Sequence, residues 1–138
     1  MKKLKYTLII SIFILSCNSK DEFIQNVYVN ETISLNLPEY NALLIPGSSL
    51  FVEGGVEGII IYHAIGQNYK IYDRNCSYEP SLACSRIDSV NSGIAWCGCC
   101  PSVFDINNSG DPINAPALLP LKQYNWSLDQ NNNLRIFN

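Results

Sequence analysis

Apolar and polar residues alternate in short bursts along most of this chain, the period of half-buried strands rather than of helices. Residues 27–29 (Val-Tyr-Val) and 32–35 (Thr-Ile-Ser-Leu) follow the pattern. Residues 43–45 form an apolar strand-like run that ends at the turn signal Pro46-Gly47, and residues 50–52 restart a strand. Gly54, Gly55 and Gly58 then bracket a corner. Ile59–Ala64 and residues 69–72 flank Gly66-Gln67-Asn68, which predicts a hairpin. Asn125–Leu128 and residues 134–137 flank the polar stretch 129–133, a second hairpin. Beyond the N-terminal segment, no window offers ten residues of helical periodicity free of Pro and Gly. Many short strands with turn residues between them predict an all-β fold, a small antiparallel sandwich or barrel. At 138 residues, one domain is the expectation.

The N-terminus breaks this pattern. A basic start (Lys2, Lys3, Lys5) precedes the apolar residues 8–15, a secretory signal too short to cross a bilayer. The sequence Ile14-Leu15-Ser16-Cys17 resembles the bacterial lipoprotein cleavage box, in which a small residue precedes the cysteine that receives lipid. The resemblance implies diacylglyceryl on the Cys17 sulfur, cleavage before it and acylation of the new amino group. Several acyl chains together give a stable anchor where one would not. The expected organisation is a signal peptide over 1–16, lipidated Cys17 with a polar tether over 17–26, and a β domain over 27–138. The expected location is a bacterial cell envelope, lipid-anchored to the membrane, the outer membrane by preference.

Charge and composition narrow the function. With 9 Lys and Arg against 12 Asp and Glu, the net charge of −3 supplies no basic field for nucleic acid. Cleavage removes three lysines, which makes the mature chain more acidic still. An apolar fraction of 47% excludes disorder. The single histidine, His63, excludes any site that needs two imidazoles. It lies inside a predicted strand among apolar neighbours, where a packed imidazole is the expectation. Five cysteines remain for the domain: Cys76, Cys84, Cys97, Cys99 and Cys100. An exported location permits disulfides, and an odd number leaves one thiol over unless a metal takes several.

The cysteines fall into two groups, Asn75-Cys76-Ser77-Tyr78 with Cys84, and Trp96-Cys97-Gly98-Cys99-Cys100-Pro101-Ser102-Val103-Phe104-Asp105. Each comes after an apolar strand-like run, so each is expected on a loop, the two converging on one centre or on each other. The second group is close to the Trp-Cys-Gly-x-Cys of thioredoxin, but no helix succeeds it to lower the thiol pKa.

The region from Ile59 onward resembles the Rieske [2Fe–2S] domain instead. That family has a first loop of Cys-x-His and a second of Cys-x-Cys-His-Gly-Ser-x-Phe-Asp. Here they read Cys76-Ser77-Tyr78 and Cys97-Gly98-Cys99-Cys100-Pro101-Ser102-Val103-Phe104-Asp105. A downstream stretch also corresponds: Gly110, Ala115-Pro116-Ala117, Pro120-Leu121 and Tyr124. The resemblance implies a Rieske-like β domain, an electron-transfer role and a redox protein partner. It places metal-ligand positions at Cys76, Tyr78, Cys97 and Cys100, and matches Cys84 and Cys99 to a disulfide that braces the loops in some members. Because Tyr78 and Cys100 stand where that family has histidine, a Cys₂His₂ cluster is excluded. Three chemistries stay open: a [2Fe–2S] cluster on Cys76, Cys97 and Cys100 with Tyr78 or Cys84, a zinc ion on three or four thiolates, or disulfides with no metal. The last would make the protein a cluster-free, disulfide-braced binding or structural module. No acid–base pair accompanies the thiols, so no turnover of a small substrate is expected.

Overall fold

Ten short strands, arranged as three antiparallel sheets, make up nearly all the regular structure of the described residues, 24–66 and 68–138 of a computed structural model. The expected signal peptide, Cys17 and the tether as far as residue 23 lie outside the described residues. The first sheet is β1 (Asn30–Ser34), β10 (Asn133–Phe137) and β9 (Asn125–Leu128), in that order. The second is β2 (Ser49–Val52), β3 (Ile59–Ala64) and β4 (Asn68–Asp73). The third is β5 (Ile87–Asn91), β6 (Ile94–Cys97), β7 (Val103–Asp105) and β8 (Asp111–Asn114).

The apolar run of β3 explains the layering. Ile59, Ile60, Ile61, Tyr62 and His63 are buried one after another, which a strand achieves only if both its faces are covered. Ile59 and Ile61 pack with Ile33 of β1 and with Leu134 and Ile136 of β10. Ile60 and Tyr62 pack instead with Ile87, Ala95 and Phe104 of the third sheet. The second sheet is therefore the middle layer between two apolar cores, and Cys76 and Cys97 belong to the second core.

Both hairpins expected from the sequence are present, with Ile59 opposite Asp73 and Ala64 opposite Asn68 in one, and Leu134 opposite Leu128 in the other. Two segments differ from expectation. Residues 43–45 are not a strand: Leu43 and Leu44 close a 3₁₀ helix, Pro38–Leu44, started by the fixed φ of Pro38 and anchored by buried Leu43. Residues 27–29 are irregular, because the Val29 N–H donates to the Asn138 side chain at 3.1 Å rather than to a strand partner.

One buried carboxylate ties the layers together near the site. Asp73, fully buried at the end of β4, accepts from the backbone N–H of Val56 (2.6 Å), Glu57 (3.3 Å) and Asn75 (2.8 Å), and from the Tyr124 hydroxyl (2.6 Å). Four donors satisfy a charge that would otherwise be costly to bury. They also join the Gly54–Gly58 corner, the first cysteine loop and the segment leading into β9. Gly55, at φ +64°, packs so closely that a Cβ there would run into the Asp73 carboxylate and the Tyr124 hydroxyl.

Candidate functional site

Two loops on the third sheet carry the cysteines. The first, residues 76–86, leaves β4 and is closed on itself: the Cys76 N–H donates to the Ser85 carbonyl (2.9 Å), and the Ser85 hydroxyl donates to the Tyr78 carbonyl (2.6 Å). The second joins β6 to β7, and the Cys97 N–H donates to the Ser102 carbonyl (3.1 Å) across it. The Gly98 N–H donates to the Arg86 carbonyl (2.8 Å), which binds one loop to the other. Residues 115–120 form a third loop over both, held by Ser77 Oγ donating to the Leu119 carbonyl (2.6 Å) and the Ala117 N–H donating to Ser102 Oγ (3.0 Å).

Three sulfurs meet inside this frame. The Sγ atoms of Cys76, Cys97 and Cys100 all lie within 4.8 Å of one another, with Cys76 and Cys100 at 3.9 Å. Cys76 and Cys97 are buried, while Cys100 reaches partway to solvent. Burial pushes the Cys76 and Cys97 thiols above the ordinary thiol range. The Tyr78 backbone N–H, which faces the Cys76 sulfur, acts in the opposite direction. Cys100 differs in sign. Burial raises it too, but its hydrogen bonds with the Ser102 side chain, with Cys97, with the Ser102 backbone and with Cys76 outweigh that, and its thiol is held below the ordinary range. Among the three, Cys100 is the thiol whose ionised form is favoured and the one that reaches solvent.

The structure thus brings together three of the four positions matched to metal ligands. The fourth, Tyr78, contributes its backbone N–H to Cys76, and its side chain lies half-buried against the second core. Cys84 and Cys99 form a separate, exposed pair, the Cys99 thiol kept protonated chiefly by its hydrogen bond to Cys84. The five cysteines among the described residues are free thiols in this structure. His63 belongs to β3, stacked on Tyr69 with ring centroids 4.8 Å apart, and neither ring nitrogen has a partner among the described residues. Ser102 was not singled out as functional from the sequence. It is almost fully buried, accepting from Ala117 and from Cys100 at 3.2 Å, and this contact favours the ionised form of that thiol.

No protein-family model matches the sequence, nor does any curated protein. Solved structures do. A complex of reduced oxygenase and oxidized ferredoxin in carbazole 1,9a-dioxygenase superposes with a TM-score of 0.52 at 12% identity, over 82% of this chain and 94% of that one. The ferredoxin of carbazole 1,9a-dioxygenase from Nocardioides aromaticivorans IC177 gives 0.50 at 16% identity, over 80% and 97%. The fold is that of Rieske-type ferredoxins. Identity this low carries the fold and nothing finer.

The Rieske-type fold implies a [2Fe–2S] cluster held by two Cys and two His. The donors present do not fit it. The one imidazole is enclosed in β3, stacked on Tyr69, and the trio supplies thiols where two imidazoles are needed. An all-cysteine cluster needs four thiolates. The trio offers three, and the remaining two sulfurs pair with each other at the surface.

Proposed function

We propose that this protein is a lipid-anchored redox module of a bacterial cell envelope, in which the Rieske-type fold carries a thiol centre and exchanges electrons with a redox protein partner. The observation that carries the reading is the 3.9 Å approach of the Cys100 sulfur to that of Cys76, within a fold shared with ferredoxins. Support for a protein partner comes from the first of those structures, which contains a ferredoxin together with its oxygenase.

The chemistry rests on the asymmetry of the two thiols. Half-buried Cys100, its thiolate favoured, attacks a disulfide on the partner. The partner's S–S bond breaks, a mixed disulfide forms, and the displaced partner thiolate takes a proton. Cys76 then loses its proton and attacks the Cys100 sulfur, releasing the partner's second thiol. The balance is one partner disulfide reduced and one Cys76–Cys100 disulfide formed, with two electrons and two protons transferred. The two reduction potentials set the direction. The chain acts as a carrier in this scheme, not as a catalyst of small-molecule turnover.

The anchor would be the acylated Cys17. It would place the domain at the membrane surface on a short polar tether, beside membrane-bound partners. The test uses the full chain extracted from membranes in detergent and equilibrated in thiol–disulfide buffers. Alkylation and peptide mass mapping should show Cys76 and Cys100 oxidised together into one linked pair. Thiols that remain free across the physiological range of potentials overturn the reading, and so do two irons per chain with absorbance beyond 400 nm. Cys17→Ser should move the protein from the membrane to the soluble fraction.

A further inference from the structure

The three thiols do more than place two of them for a disulfide. A redox pair requires only Cys76 and Cys100, yet Cys97 is held in the same group, buried, with all three sulfurs within 4.8 Å. We propose that the reduced trio binds a single Zn²⁺ ion through Cys76, Cys97 and Cys100, leaving the fourth coordination position to water or an exogenous donor. This rests on the preceding reading for one point only, that these thiols exist in the reduced form in service.

The geometry is that of one ion. Thiolates bind zinc at ~2.3 Å, so adjacent corners of a tetrahedral site lie about 3.8 Å apart. The Cys76–Cys100 separation is 3.9 Å and no pair exceeds 4.8 Å, so small side-chain adjustments bring three corners to their places. Three protein ligands with one open position are a normal zinc arrangement, since this d¹⁰ ion imposes no geometry of its own. Charge distinguishes it from a monovalent thiophilic ion such as Cu⁺. Three thiolates around Zn²⁺ leave a residual charge of −1, against −2 around Cu⁺, and a site with two of its three sulfurs buried favours the smaller residue.

The surroundings suit the ion as well. The Tyr78 backbone N–H faces the Cys76 sulfur, and the Ser102 hydroxyl, fixed by Ala117, faces Cys100. Such outer hydrogen bonds orient thiolates and moderate their charge. Partial exposure of Cys100 provides the entry path. Cys84 and Cys99, paired at the surface, are not needed. The disulfide and the ion compete for the same sulfurs, so oxidation of Cys76 and Cys100 expels zinc, and bound zinc protects the pair from oxidation.

The experiment uses the full chain in detergent, reduced and kept under argon, titrated with Zn²⁺ against a chelating indicator and with Co²⁺ as a spectroscopic probe. Expected are one ion per chain, a thiolate-to-cobalt charge-transfer band and the intense visible absorption of tetrahedral Co²⁺. Cys100→Ser and Cys97→Ser should each weaken binding by at least 100-fold. The double variant Cys84→Ser/Cys99→Ser should retain it, and circular dichroism controls for folding. Oxidised protein should take up no metal. Absence of saturable binding, or binding that survives Cys100→Ser or is lost in the double variant, overturns the inference. If zinc fails to bind but the Cys76–Cys100 couple still titrates, only this inference falls; if zinc binds and no couple is found, only the preceding reading does.

Discussion

Ser102→Ala separates the chemistry of Cys100 from the mere presence of a thiol. In the structure the Ser102 oxygen accepts from the Ala117 N–H at 3.0 Å and lies 3.2 Å from the Cys100 sulfur. With its acceptor side engaged by Ala117, the hydroxyl proton is free to turn to Cys100 once that thiol ionises. A hydrogen bond to a charged group contributes ~1.5–3 kcal/mol, and solvent at the half-exposed sulfur reduces this to about 1–2 kcal/mol. Removing it should lower the thiolate population of Cys100 at neutral pH roughly 5- to 30-fold. The same change leaves the buried Ala117 N–H without an acceptor, a stability loss of ~1–3 kcal/mol.

This one substitution has two readouts. The rate of Cys100 alkylation by iodoacetamide, read by peptide mass spectrometry across pH, should rise at lower pH than for an ordinary thiol in the parent. In Ser102→Ala the profile should move to higher pH, while exposed Cys84 is unchanged. Urea denaturation should show the accompanying loss of stability. Ser102→Thr, which keeps the hydroxyl, should retain most of the parent profile. Cys100 alkylation at an unchanged rate in Ser102→Ala would refute the assignment of its reactivity to that hydroxyl, whatever the stability.

Four further predictions are structural. Tyr124→Phe removes one of four donors from buried Asp73 and should cost about 1.5–3 kcal/mol in urea denaturation. Gly55→Ala forces a Cβ at φ +64° onto the Asp73 carboxylate and the Tyr124 hydroxyl, and should destabilise by more than ~2 kcal/mol. His63→Phe keeps the stack on Tyr69 and removes two buried, unpartnered ring nitrogens; it should stabilise by about 1–2 kcal/mol and leave Cys100 alkylation untouched. Chelator treatment of the reduced, zinc-loaded protein should lower the melting temperature by several degrees yet leave the far-UV circular dichroism at 25 °C unchanged, because hydrogen bonds between the three loops and the apolar core beneath them hold the frame without the ion.

The sequence made the strands legible where one rule governed a whole segment. Ile59–Ala64 is apolar throughout because two cores cover it, and Asn125–Leu128 with its partner is delimited by a turn that Asp129 organises through its bonds to Asn131 and Asn133. The third sheet was harder to see. β5 buries Ile87 but leaves most of its other residues exposed, and β8 contains Pro112, so neither shows a clean alternation. Leu43 and Leu44 are apolar in any conformation, and the influence of Pro38 lies too far upstream to register as part of that run. Convergence of the two cysteine loops was legible from their matching positions after strands. Their division into a buried trio and an exposed pair was not, because it depends on side-chain direction at the three closely spaced cysteines Cys97, Cys99 and Cys100. Asp73 gave one faint signal, a carboxylate ending an otherwise apolar strand.

The frame around the thiols does not depend on what they hold. Gly98 to Arg86, Ser77 to Leu119 and Ala117 to Ser102 join the three loops through protein groups, and Asp73 fixes the base of the first loop from below. In a small metal-folded domain the free energy of metal binding is the free energy of folding, so losing the ion means unfolding. Here the sulfurs are gathered by backbone and serine hydrogen bonds and by two apolar cores, and metal binding would add to a structure already formed. A site of that kind can exchange its occupant, or close as a disulfide, without the loops separating. Histidine ligands would have removed this freedom, since imidazoles form no disulfide. With Cys100 where the Rieske motif has histidine, one sulfur would serve, in the proposed scheme, both as ligand and as redox partner of Cys76.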